Sequence, residues 1–305
     1  MKMLKWMKLL NSTQQAISKK SPNQGTNINP NDLLTGMIEE DFYKIKRQME
    51  GASDFSYRKF KFNSYTAIIL YLDGLVDMKR MERNIIDPLL NQSKDLLQKD
   101  DLTINEIEDE ISSGKVKIAN TIQQITDHVL AGGTVLLINS LTQSLLISEQ
   151  SWEKRSIEEP ASEAVVLGPR EGFTENIRTN TSMIRRRIKS SNLKLESMQV
   201  GKLSKTEVVI TYIEGIAESS LVEEVRTRLK RIDIDAIEDS GYILEFIEDK
   251  PYSVFPQVLQ TERPDRVVGN LLEGRVSIIV ENSPFALVVP VTFFQMMNSP
   301  EDYYG

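Results

Sequence analysis

Residues 65–76 read YTAIILYLDGLV, an apolar run rich in β-branched and aromatic side chains that closes on Asp73–Gly74. A run of this length, bounded by an acid–glycine pair, reads as a buried strand feeding a tight turn. Downstream, Met78, Met81, Ile85, Ile86 and Leu89 fall on one face of a following helix. Upstream, a helix is expected to start near Asn31 or Asp32, with Leu33, Leu34, Met37, Ile38, Phe42, Ile45 and Met49 at helical spacing.

The pattern returns at residues 206–217, TEVVITYIEGIA. A shift of 141 lays Ile69 on Ile210, Tyr71 on Tyr212, Asp73 on Glu214 and Gly74 on Gly215. A helix follows again, with Ser220 and Glu223 spaced as a capping box and Leu221, Val225, Leu229 and Ile232 inward. The same shift lays LAGGTVLLINSLTQSLLIS (130–148) on LLEGRVSIIVENSPFALVV (271–289), placing Gly133 on Gly274 and Val135 on Val276. Each block reads as helix end, glycine turn, strand, short Asn/Ser turn, strand. The expected fold class is therefore α/β: two tandem, duplicated modules, each a mixed sheet with packed helices. Residues 1–30 form a polar, turn-rich tail and linker, 31–150 the first module, 151–164 a linker and 165–298 the second. Residues 299–305, SPEDYYG, carry Ser, Pro and two acids in the order that opens a helix, which would lead into a membrane part beyond.

Composition narrows the chemistry. The 305 residues are 40% hydrophobic and 27% charged, with a net charge of −7, which argues against a general nucleic-acid binder. There is no cysteine, so disulfides, thiolate metal sites and cysteine nucleophiles are excluded. A single histidine, His128, excludes sites built on two imidazoles and reads as structural. The uncharged stretches 129–148 and 282–300 are too broken by polar residues and proline to be spanning helices. MKMLKWMKLL at the N-terminus is too interrupted by lysine for a signal peptide. No phosphate loop, nucleophile elbow or zinc motif occurs, so no catalytic residue, cofactor or metal is expected.

Three segments carry charge worth placing. Asp73 and Glu214 stand at strand ends, where open α/β sheets bind ligands, although an acid beside a turn glycine explains them equally. Residues 168–189, GPREGFTENIRTNTSMIRRRIK, hold six cationic against two acidic side chains, a net of +4. Thr174 is placed to cap a helix there, with Ile177, Thr181, Ile184 and Ile188 as its apolar stripe and Arg178, Arg185 and Arg186 on its flank. Arg170, Glu171, Asn176 and Arg187 complete a cluster suited to anionic groups or an acidic partner surface. In residues 261–266, TERPDR, the charges of Glu262, Arg263, Asp265 and Arg266 alternate through a turn ahead of a helix. These are candidate contact residues, or salt bridges internal to one module.

GPREGFTENIRTNTSMIRRRI (168–188), SLVEEVRTRLKRIDIDAIEDSGYILEFIED (220–249), FPQVLQTERPD (255–265) and SPEDYY (299–304) together closely resemble the A subunit of GerA-type spore germinant receptors, from about residue 30 onward. The resemblance implies a hydrophilic N-terminal region, on the cytoplasmic side of the spore inner membrane, followed by membrane-spanning helices. It implies partnership with an integral-membrane B subunit and a C lipoprotein, sensing of small nutrients, and no catalytic residues; other copies of the same chain are a further candidate partner. A related A-like protein encoded with the dipicolinate-release channel shares parts of the motifs. Under this resemblance the region is a signalling and assembly module or, alternatively, a germinant-binding one.

Overall fold

The computed structural model describes residues 32–91, 102–113, 115–148, 160, 163, 169–249 and 256–291. It divides into two compact units: residues 25–152 with 189–191 form one, and residues 153–188 and 192–305 belong to the other.

The first unit runs α1 (Ile38–Gln48), β1 (Phe55–Phe62), β2 (Tyr65–Leu72), α2 (Met78–Met81, Glu82–Ile86 and Asp87–Asn91), α3 (Ile104–Glu110), β3 (Val116–Ala119), α4 (Ile122–Leu130), β4 (Thr134–Ile138) and β5 (Ser144–Ile147). Its sheet has the order β1-β2-β4-β5-β3. The second unit runs α5 (Ile177–Arg187), β6 (Leu193–Val200), β7 (Thr206–Ile213), α6 (Ser219–Lys230), α7 (Ser240–Ile247), β8 (Leu259–Thr261), α8 (Pro264–Leu272), β9 (Val276–Val280) and β10 (Ala286–Val289). Its sheet has the order β6-β7-β9-β10-β8, the same path drawn twice. The α/β class and the two sheet modules stand as expected. Strand direction is the refinement: every pairing between the described strands is antiparallel, where a mixed sheet was expected.

Each sheet is covered on both faces, which is why β2 and β7 read as nearly continuous apolar runs. In the first unit α2 and α3 pack over Ile69, Leu136 and Ile138, while α1 and α4 pack over Ile68, Leu70 and Val135. In the second, α6 and α7 cover Val208, Ile210 and Ile278, while α5 and α8 cover Val209, Ile279 and Val288. β1 and β3 edge the first sheet and β6 and β8 the second; exposed Arg58, Lys59 and Lys61 on β1 keep that edge solvated.

The repeat is sharper in three dimensions than in sequence, and it corrects the alignment. Ile69 pairs with Leu136 in the first sheet and Ile210 with Ile278 in the second. The later blocks are therefore offset by 142 and not 141, so Gly132, not Gly133, is the equivalent of Gly274. Both have φ +87°, the left-handed conformation that glycine tolerates. Gly74 and Gly215 keep the 141 shift, at φ +81° and +82°.

Four helix expectations change. α1 begins at Ile38 and not near Asn31 or Asp32, because Gly36 at φ +81° breaks the chain there and leaves Leu33 and Met37 exposed. The helix after β2, here α2, runs Met78–Met81, a π-helical turn Glu82–Ile86, then Asp87–Asn91. Its extra residue rotates the face so that Met81, Ile85, Ile86 and Leu89 are buried while Met78 is not. α6 is capped by Glu218 without a side-chain bond, so the Ser220–Glu223 capping box does not form. Asn176, not Thr174, caps α5. Most of the linker at 151–164 and the helix start at 299–305 lie outside the described residues.

Candidate functional site

The arginine-rich segment opens with a side-chain knot. Asn180, fully buried, accepts the Thr174 amide at 2.7 Å through Oδ1 and donates to the Thr174 carbonyl at 2.5 Å through Nδ2. The Thr174 hydroxyl accepts the Asn176 amide, and the Asn176 side chain accepts the Thr179 amide at 3.0 Å, starting α5. The first unit repeats this with Asp41, whose carboxylate accepts the amides of Thr35 and Gly36 and the Thr35 hydroxyl ahead of α1. The pattern Thr-x5-Asp/Asn is a direct sequence signal, at a shift of 139.

From α5 the arginines take different routes. Ile177, Thr181, Ile184 and Ile188 are buried as the periodicity required. Arg185 is a correction: it is 0% exposed, donates from Nη1 to the Leu193 carbonyl at 3.1 Å, and belongs to the core, not to a flank. It lies four residues beyond Thr181, on the stripe itself. Arg178, 40% exposed, reaches the carboxylate of Glu207 at 3.0 Å. Arg187 donates to Glu171 at 2.6 Å and to the Met183 carbonyl at 2.9 Å. Burial lowers the Arg186 pKa, Glu171 raises it and Arg187 lowers it further. Arg170, Glu175 and Asn176 are exposed at the N-terminal end of the helix.

The structure brings the two charged segments together. The amide of Phe173 donates to the carbonyl of Glu262 at 2.7 Å. Beside this link, Arg263, 2% exposed, grips Asp265 through Nε and Nη2, and Pro264 occupies the first turn of α8. Glu163 accepts from the Thr261 hydroxyl at 2.5 Å, the Glu262 amide at 3.2 Å and Arg266 Nη1. Its role had no periodic signal, since its partners lie about a hundred residues away. Glu262, Arg263, Asp265 and Arg266 thus lie in a turn secured by bonds inside the second unit.

The strand-end carboxylates stay apart in their chemistry. Asp73 accepts the Ser56 hydroxyl at 3.0 Å. Glu214 is largely exposed and meets Lys194 at 3.2 Å. Among the described residues no group of three His, Cys, Asp or Glu side chains is arranged to hold a metal ion.

A family model described as "Bacillus/Clostridium GerA spore germination protein" matches residues 43–305, most of the chain. The chain belongs to the GerA spore germination family. Among curated relatives it is 37% identical over 276 residues to spore germination protein KA of Bacillus subtilis (strain 168), covering 90% of this chain and 50% of that protein. It is 36% identical over 291 residues to the uncharacterized membrane protein YfkQ of the same organism, covering 95% and 55%. To stage V sporulation protein AF of that organism it is 34% identical over 268 residues, covering 87% and 53%. The chain spans about half the length of the curated relatives it matches. Among solved structures it is similar to the N-terminal domain of the A subunit of the Bacillus megaterium spore germinant receptor GerK3, at TM-score 0.67 and 36% identity, covering 86% of this chain and 97% of that one. No helix among the described residues of this GerA chain is long and apolar enough to cross a membrane.

Proposed function

We propose that this chain is the N-terminal region of a germinant receptor A subunit, held on the cytoplasmic side of the spore inner membrane, and that it works as a signalling and assembly module. The observation that carries this reading is the likeness to the GerK3 A-subunit domain, which the chain matches almost end to end. The region docks on B and C subunits, or on further copies of itself, and relays a conformational change toward membrane helices. The exposed end of α5, with Arg170, Asn176 and Arg178, is the docking face. The buried Arg185 and the Thr261–Arg266 turn support it from beneath. Nothing in the family description points to an enzyme.

Ligand binding is the competing role. A groove beside β3, lined by Glu108, Asp109, Ser113, Lys115, Lys117 and Ser148, is open and polar. A small nutrient is better held in an enclosed, mostly apolar cleft with a few converging polar groups. Calorimetric melting of the chain across a panel of amino acids, sugars and nucleosides separates the roles, because a ligand bound only by the folded state raises its melting temperature. Docking predicts no shift at millimolar nutrient. A reproducible, concentration-dependent rise with one nutrient replaces docking by ligand binding. The likeness to stage V sporulation protein AF supports a second reading, the related A-like protein encoded with the dipicolinate-release channel.

A further inference from the structure

The two units repeat one architecture, so each position has an internal control, and one pair departs sharply. In the first sheet Leu70 pairs with Val135 beneath α1 and α4, and both are fully buried in an apolar core. The equivalent pair beneath α5 and α8 is Thr211 with Ser277. Both are 0% exposed, and neither hydroxyl has a hydrogen-bond partner. A buried hydroxyl without a partner is destabilising, and exchanging it for an apolar group of like shape is neutral or stabilising.

The helix lying over this layer is weak on its own account. α5 contains Thr179, Asn180, Thr181 and Ser182 in succession, all poor helix formers. Thr181 and Ser182 turn their hydroxyls back onto the carbonyls of Arg178 and Thr179, a bond that competes with the helical ladder. α5 also buries Arg185, whereas the equivalent of Arg185 in α1 is Lys46, exposed above the rings of Phe42 and Tyr57. The first unit has its own buried hydroxyl without a partner, at Thr134, but it lies on the opposite face of that sheet, away from α1.

We infer that the α5/α8 layer is the yielding element of the molecule: it opens from its sheet far more readily than α1/α4, and this opening carries the signal. The inference rests on the signalling role proposed above. It places the docking face on the moving part itself, so that capture or release of a partner biases the layer between two arrangements.

Amide hydrogen exchange of the 305-residue chain tests the device. Amides of residues 177–188 should exchange about tenfold faster than those of residues 38–49; equal or slower exchange overturns the inference. The double variant Thr211→Val/Ser277→Ala should slow exchange across 177–188 about tenfold and leave 38–49 unchanged. Unaltered exchange shows that the hydroxyls do not set the opening and also overturns it. The reverse transplant, Leu70→Thr/Val135→Ser, should speed exchange across 38–49 by a similar factor. In spores carrying the full-length protein, Thr211→Val/Ser277→Ala should delay germination several-fold. Normal germination with slowed exchange removes the switch alone. The docking role has a separate test, reversal of Arg170, which lies ahead of α5 and outside this layer.

Discussion

The amide of Phe173 donates to the carbonyl of Glu262 across 2.7 Å, tying the start of the arginine-rich segment to the turn that opens α8. Two stretches far apart in sequence therefore make one surface, and a backbone bond sets their relative position. Side chains around it can vary without losing that register, while residues that hold the turn cannot.

Glu163 is the first such residue. It satisfies Thr261, Glu262 and Arg266 together and is only 13% exposed. Glu163→Ala leaves Arg266 partly buried without this carboxylate, which should cost about 2–3 kcal/mol. Urea unfolding of the chain followed by far-ultraviolet circular dichroism measures it; a change below about 0.5 kcal/mol would show that the carboxylate is dispensable.

Arg185 and Arg178 should separate by stability. Arg185→Met removes a fully buried guanidinium from the Leu193 carbonyl, and Arg185→Ala also leaves a cavity, so the alanine variant should lose about 3–5 kcal/mol. Arg178→Ala breaks a half-exposed pair with Glu207 and should cost no more than about 1 kcal/mol. Comparable losses in the two alanine variants would contradict the assignment of one to the core and the other to the surface.

Much of this was legible in advance. β2, β7 and the hairpins β4–β5 and β9–β10 are apolar on both faces, so their runs stand out without any partner information. The outer strands β1 and β6 escaped, because FSYRKFKF and LKLESMQV mix charge with hydrophobicity as edge strands do. Arg185 misled because its charge suggested solvent while its spacing from Thr181 placed it on the buried stripe. Glu163 was invisible in principle, since nothing local announces a bond to a turn about a hundred residues away.

Gly133 and His128 form a matched pair. A Cβ on Gly133 would collide with the imidazole, whose Nε2–H donates to the Ile147 carbonyl at 3.1 Å. The second unit places Asn270 and Arg275 at these positions, with Arg275 Nη1 donating to Asn270 Oδ1 at 2.5 Å. Gly133→Ala should destabilise the first unit by about 1–3 kcal/mol, and His128→Ala in the same chain should recover at least half of that. Strict additivity of the two changes in denaturant unfolding would show that they do not touch.

His128 also sets an acid limit on stability. Burial lowers its pKa below the ordinary histidine value, against a smaller raising effect from the Ile147 carbonyl. The unfolded chain then binds the proton more tightly, so this stabilisation is present above about pH 6.5 and is lost as pH falls from there through the lower folded pKa. His128→Gln should flatten the pH dependence of unfolding below about pH 6.5. An unchanged slope would place the titrating group elsewhere.

Under the proposed docking role, the exposed end of α5 engages a partner while the fold that carries it stands alone. Germination of spores carrying Arg170→Glu/Arg178→Glu in the full-length protein, read beside the melting temperature of the 305-residue chain with the same changes, tests it most directly. Docking predicts that nutrient-triggered germination falls at least about tenfold while the melting temperature falls by no more than about 5 °C, the cost of losing the Arg178–Glu207 pair. Germination at the parental rate from spores holding normal amounts of the variant, with the fold equally intact, would contradict it.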